Sequence, residues 1–375
     1  MSGRVLVAMS GGVDSSVALH RIIEEGYDPI GVTMKLWDSP EGIPSTDSYC
    51  CSVEAINNAK LVCEKFDVPH YTLDFQDDFQ KNVVDYLVDQ YFSGNTPNPC
   101  IQCNTHLRWG RLIQQADDLN AKWIATGHYA RIDQLNGIGK VIRKGIDEKK
   151  DQSYVLWGIG EKLLERTLFP LGNLRKEEVR EIARKESLVT AEISESQELC
   201  FIPEADYRRF LKEYVPDRAD AEENGAIVSP DGKVMGEHQG ISQYTIGQRR
   251  KLGVTGSVPN YVQQINQETN TIKVAPREKM YFPGCQVHQL NWLIPPEEWP
   301  TGIIYTHIRY NHDVVESKME YRENGSVSVK FKSPQFAVAP GQSAVFYIDD
   351  ILLGGGIIAG AEPSPEQNGL DNHSQ

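Results

Sequence analysis

The stretch VLVAMSGGVDSSVAL, residues 5–19, leaves few choices to the chain that carries it. An apolar run of β type, Val5 to Met9, breaks at Ser10, Gly11 and Gly12. A helical pattern follows, with Ala18, Leu19, Ile22 and Ile23 on one arc and His20, Arg21 and Glu24 on the other. A strand that turns so sharply into a helix packed back on its sheet predicts an α/β layer. The bend presents unpaired backbone N–H groups and the positive end of the helix dipole, so it attracts an anion. Gly11 and Gly12 let the backbone approach a ligand, while Ser10, Ser15 and Ser16 offer hydroxyl donors. Asp14 is the odd member. The loop has no lysine to grip phosphate, and a carboxylate repels phosphate unless a cation such as Mg2+ lies between them or it caps the helix.

Further strands are predicted at PIGVTMKLW, HYTLDF and WIATGHY, separated by intervals long enough for crossover helices, which gives a doubly wound parallel sheet. LRKEEVREIARK, residues 174–185, reads as a charged helix with Leu174, Val179 and Ile182 as its apolar ridge. Beyond about Asp217 short β-type runs are punctuated by turns, and from about Ala275 the pattern is that of a β-barrel. The expected division is therefore an α/β unit over 1–210, a small central domain over 211–274, a barrel over 275–361 and a disordered tail over 362–375.

Composition narrows the classes. With 38 basic and 52 acidic residues the net charge is −14, which argues against a nucleic-acid partner except on a local basic face. Lys140, Arg143, Lys144 and Lys149 would supply one. The seven cysteines form no evenly spaced pairs, the start has no charged-then-apolar leader, and no apolar run approaches the roughly 18 residues of a membrane helix. A cytoplasmic protein without a membrane partner is expected.

Two cysteines stand in reactive settings. Cys103 follows the turn-rich TPNP in the first turn or so of a helix, where a thiolate is favoured. Cys200 follows a polar run containing Ser194, Glu195 and Ser196, and is expected to be accessible. The alternatives are a zinc site built on Cys100 and Cys103 with Cys50, Cys51 or Cys63, although no second pair has ligand spacing, and a reactive Cys50 or Cys51 without a partner. Cys63 shares a helical face with Ile56, Ala59 and Phe66 and reads as core, and Cys285 as structural.

Residues 10–15, SGGVDS, match the signature loop of the ATP-pyrophosphatases, of the adenine nucleotide alpha hydrolase-like fold. Together with TPNPC..CN, ATGHYAR, KDQSYVL, SQELCFIP, YTIGQR, IRY and PGQSAVFY, in this order, the chain resembles the tRNA-specific 2-thiouridylases (MnmA/TrmU type) over nearly its whole length. The resemblance implies an N-terminal ATP-pyrophosphatase domain, a small central domain and a C-terminal barrel. It implies an enzyme that adenylates the C2 oxygen of uridine 34 in tRNAs of the Glu, Gln and Lys types and replaces it with sulfur, releasing AMP and pyrophosphate.

ATP and Mg2+ are the implied cofactors, and a relay protein or cysteine desulfurase the implied sulfur donor. By the same resemblance Cys200 carries a persulfide and Cys103 is the nucleophile. Either released sulfide attacks C2 or the persulfide attacks directly, and both routes end in a Cys103–Cys200 disulfide that a thiol pool reduces. Ala8, Met9, Ser10, Gly11, Gly12, Val13, Asp14, Ser15, Met34 and Gly127 match the nucleotide site. Asn98, Pro99, Cys100, His128, Lys150, Asp151, Gln152, Arg309, Tyr310 and Gln342 match tRNA contacts. Taken alone, Met34 would read as core and His128 as a structural histidine. Cys100 departs from a common pattern with aspartate there, so no carboxylate is at hand for proton transfer at this position, and the thiol is either auxiliary or, the reading favoured, a bystander. The rival readings are another ATP-pyrophosphatase acting on a small molecule, and a noncatalytic RNA-binding protein.

Overall fold

The computed structural model describes residues 3–38, 52–194, 199–202, 206–254, 258–310 and 312–363. Strand β1 (Arg4–Ala8) runs into helix α1 (Val13–Glu24), then β2 (Asp28–Lys35), α2 (Val53–Lys65) and β3 (His70–Asp74). With β4 (Trp123–Ala125) and the two-residue β7 (Thr167–Leu168) they form a parallel sheet of order β3-β2-β1-β4-β7. Alternate residues of β1 serve opposite faces: Leu6 and Ala8 join the core with Phe79, Leu107 and Trp109, while Val5 and Val7 pack with Leu19, Ile22 and Cys63. Cys63 is core, and burial pushes its thiol up to about 12. The chain leaves β1 in opposite directions toward β2 and β4, and the carboxyl ends at such a switch point open a crevice.

The helical layer on one face, residues 76–92 and 99–118, is wound wider than an α-helix at Gln80–Val84 and again at Cys103–Arg111. The central domain is a four-stranded sheet of β8 (Gly225–Val228), β9 (Val234–His238), β10 (Asn260–Asn266) and β11 (Thr271–Pro276). In the barrel, β12 (Tyr281–Trp292) pairs with both β15 (Val327–Phe336) and β17 (Ile351–Glu362), so six antiparallel strands close on themselves. Cys285 lies inside, its thiol pushed up by burial.

The hairpin of β5 (Ala130–Leu135) and β6 (Gly139–Lys144), which precedes the last strand of the parallel sheet in sequence, joins the barrel sheet instead. Ile351 of β17 pairs with Arg143, and Arg131 and Arg143 both bind Asp350. This changes the reading of the basic stretch. Arg143 pairs with Asp133 and Asp350, Lys140 lies 3.5 Å from Glu165, and Lys144 sits over the Tyr347 ring, so these cations serve the junction first. Cys50, Cys51, Glu195, Ser196 and the tail from 364 lie outside the described residues. Among the described residues no helix is long and apolar enough to cross a membrane.

Candidate nucleotide cleft and thiol pair

The loop after β1 is held by its own serines. Ser15 Oγ accepts from the Ser10 backbone N–H at 3.2 Å, and the Ser15 and Ser16 hydroxyls donate to the Gly12 carbonyl at 3.0 and 2.9 Å. Gly11 has φ +74°, and a Cβ there would stand 2.1 Å from the Ala55 carbonyl oxygen of α2. The loop borders a cleft of about 190 Å3 at the carboxyl ends of β1, β2 and β4. Ala8, Met9, Ser10, Asp14, Ser15, Met34 and Gly127 line it, whereas Val13 is buried against Val17 and Tyr129, and Gly11 and Gly12 shape the turn. Gly127 is constrained by the chain itself, since a Cβ would come within 3.0–3.2 Å of Asp14 and Ser15. The N–H groups at the helix start and the close backbone fit a nucleotide's phosphates, whereas the hydroxyls of Ser10, Ser15 and Ser16, expected as donors to a ligand, donate within the loop and hold its shape.

Asp14 does not cap α1, whose N-cap is Gly12 without a side-chain bond. Its carboxylate accepts from Lys176 Nζ at 2.7 Å on Oδ1 and 2.8 Å on Oδ2, and from the Tyr129 hydroxyl at 2.7 Å. The lysine missing from the loop thus comes from 162 residues further on. Both Asp14 oxygens thus have a partner within the chain, and among the described residues there is no group of three or more His, Cys, Asp or Glu side chains that could hold a metal. The sequence offered one signal for Lys176: it is the first residue of the helix Lys176–Lys185, where the dipole opposes a cation.

Arg108 also lines the cleft, and no sequence pattern marked it. Its Nη1 donates to Cys103 Sγ at 3.2 Å and to Asn104 Oδ1 at 2.9 Å. Positions five apart face different sides of an α-helix, and the wider winding over Cys103–Arg111 brings them together. The helix begins at Pro99, N-capped by Asn98, so Cys103 lies a full turn in, where the dipole has faded. The cation at its sulfur is Arg108, not the helix end, and a guanidinium beside a thiol favours the thiolate. Cys103 is buried in the apolar cluster against which Cys200 also packs. Cys200 is half-buried, and Phe201 and Ile202 anchor the segment in that core.

Residues expected on the RNA side come from five segments. Gln342 Nε2 donates to the Thr96 carbonyl at 2.7 Å, and Thr96 N–H donates to the Pro340 carbonyl, so the barrel holds the turn that leads to Asn98, buried Pro99 and exposed Cys100. The Tyr310 hydroxyl donates to the Asp151 carbonyl at 3.2 Å, next to half-buried Lys150, and Arg309 donates to the Ala337 carbonyl. Asp151 accepts from the Gly145 and Ser153 N–H groups, and burial raises its carboxyl. His128 and Gln152 line the nucleotide cleft itself.

Burial, with Arg108 adding to it, holds the His128 imidazole down to about 3, so it is neutral beside Thr126, 2.7 Å from Nδ1. Its ordinary value of 6.5 returns on unfolding. Between these values the unfolded chain binds a proton that the folded one refuses, so stability falls as pH drops through that window. His128→Asn is expected to lessen the loss of stability between about pH 7 and 5 in urea melts, by on the order of 1–2 kcal/mol.

Three family models match in succession: a tRNA methyl transferase HUP domain over residues 3–204, a tRNA methyl transferase PRC-barrel domain over 208–276, and an aminomethyltransferase beta-barrel domain over 282–358. The tRNA-specific 2-thiouridylase MnmA of Carboxydothermus hydrogenoformans is 44% identical over 357 residues, covering 95% of this chain and 97% of the relative. Those of Salinibacter ruber and Clostridium perfringens are 43% and 41% identical, each over 95% of this chain and over 94% and 98% of their own. With such kinship extending from the loop through the barrel, the chain belongs to the tRNA-specific 2-thiouridylase family.

Proposed function

We propose that the protein is a tRNA 2-thiouridylase: ATP adenylates the C2 oxygen of the wobble uridine, and sulfur from a persulfide on Cys200 replaces it, giving 2-thiouridine, AMP and pyrophosphate. One observation carries the reading. Arg108 borders the cleft of the signature loop and donates to the sulfur of Cys103, joining a nucleotide-sized chemistry to a thiol. A uracil carbonyl is a poor electrophile and its oxygen a poor leaving group, so activation by ATP must precede sulfur.

Cys103, as thiolate, attacks the inner sulfur of the Cys200 persulfide and forms the Cys103–Cys200 disulfide. The expelled hydrosulfide adds to C2, and AMP leaves with the former carbonyl oxygen. In the other order the terminal sulfur attacks C2 first and Cys103 then releases it. Either way two electrons from a thiol pool reset the pair. The loop from Ala8 to Ser15, with Met34 and Gly127, would seat ATP, with Mg2+ accompanying its phosphates. Asn98 to Cys100, His128, Lys150 to Gln152, Arg309, Tyr310 and Gln342 would receive the extruded base and its backbone. Substrate tRNAs of the Glu, Gln and Lys types and a persulfide-bearing donor protein complete the reading.

The family-model descriptions speak of methyl transfer, but that reaction needs neither an ATP-cleaving loop nor a second thiol. Mass analysis of tRNA nucleosides after incubation with the protein, Mg2+-ATP and sulfide separates the two. A 2-thiouridine product with tRNA-dependent pyrophosphate release supports thiolation, and failure to cleave ATP between its α and β phosphorus atoms overturns it. Arg108→Met is expected to slow thiolation about 100-fold, with both cysteines intact, because the charge steadying Cys103 is gone. A turnover assay at saturating ATP checks this.

A further inference from the structure

This inference rests on reading the loop as the seat of ATP's pyrophosphate. Asp14 lines the cleft with its side chain one-third exposed, and an uncompensated carboxylate there repels phosphate. The Lys176 side chain is only 10% exposed and spans both Asp14 oxygens. The pair is lopsided. A buried ammonium needs a counter-charge, whereas a carboxylate at a water-filled cleft does not. Pinning the helix Lys176–Lys185 to α1 does not require it either, because Val179 and Ala183 already pack with Val13, Val17 and Ala18. The first turn of that helix carries Glu177 and Glu178, as its dipole favours, whereas Lys176, like the N-cap Arg175, stands against that preference, and it is Lys176 that turns to Asp14. Its backbone N–H is fixed by Asp147 Oδ2 at 3.0 Å, which aims the side chain's origin.

We propose that Lys176 is a positioning residue for the nucleotide: its ammonium cancels the charge of Asp14, so that the aspartate can lock the turn against Tyr129 without expelling pyrophosphate. The loop thereby acquires from a distant helix the cation that other phosphate loops carry within themselves. The bond between charge and function is direct. Remove the lysine alone and the carboxylate faces the phosphates; remove both charges and the repulsion disappears.

The test is Mg2+-ATP binding by calorimetry, without tRNA, on the full-length wild-type protein, Lys176→Met and the double variant Asp14→Asn/Lys176→Met. The expected result is affinity about 10- to 100-fold weaker in Lys176→Met and restored to within about threefold of wild type in the double variant. A merely structural ion pair would lower the melting temperature of Lys176→Met and leave ATP affinity unchanged in the folded protein, which would overturn the proposal. Should Lys176→Met not fold, the double variant decides alone. A folded double variant that binds ATP more than tenfold weaker than wild type shows that Lys176 or Asp14 touches the nucleotide itself, and overturns the counter-charge role. If the wild-type protein binds no ATP, the nucleotide reading of the loop fails, a result distinct from either outcome among the variants.

Discussion

Cys103→Ser is expected to abolish sulfur insertion, lowering thiolation at least about 1000-fold while ATP affinity without tRNA stays within about threefold of wild type. Serine keeps the size and burial of a side chain only 6% exposed, and its hydroxyl still accepts from Arg108. It cannot ionise to attack a sulfur–sulfur bond. Loaded by a persulfide donor, the variant should therefore stall before release: intact-protein mass shows one added sulfur on Cys200 if freed hydrosulfide is the attacking species, and Cys200 joined through that sulfur to the tRNA if the persulfide attacks C2 directly. Cys200→Ser should lose thiolation equally, carry no added sulfur, and still release pyrophosphate when tRNA is supplied. Unchanged thiolation in Cys200→Ser would remove the carrier role assigned to that thiol.

Gly11→Ala is expected to destabilise the protein by about 2–5 kcal/mol and to eliminate ATP binding. A φ of +74° costs a side chain about 1–2 kcal/mol, and a Cβ 2.1 Å from a backbone oxygen of α2 forces a displacement costing about 1–3 kcal/mol more. Because the obstacle is backbone, no rotamer change relieves it, and α2 must move away from the loop. Gly12→Ala is the control. Its φ is −95°, and the nearest atom to an added Cβ is the Ser10 hydroxyl at 3.6 Å, so a loss under about 1 kcal/mol is expected. Chemical denaturation of the two variants checks the contrast.

Those neighbouring glycines look alike in sequence, and their difference shows where sequence reading stops. The strands β1 to β4 were legible because apolar residues in short runs, broken by turns, report their own local geometry. Strand β7, with two residues, is too short to carry a period. The hairpin of β5 and β6 has an ordinary strand pattern, yet nothing in that pattern says which sheet it joins. The basic run from Lys140 to Lys149 suggested an RNA face, and two of its four charges, Lys140 and Arg143, pair with Glu165 and Asp350, each more than 20 residues away. Arg108 escaped notice because its approach to Cys103 needs a helix wound wider than the one sequence periodicity assumes.

The strand, loop and helix of the signature, the α/β layer and the two candidate thiols could be read along the chain, since backbone sterics and hydrophobic period belong to consecutive residues. That Lys176 answers Asp14, that the barrel's Gln342 holds the Thr96 turn 246 residues away, and that Cys103 and Cys200 share one core emerged with the folded chain. Charges and hydrogen-bond donors choose partners by distance in space, and that distance exists only after the chain has closed on itself.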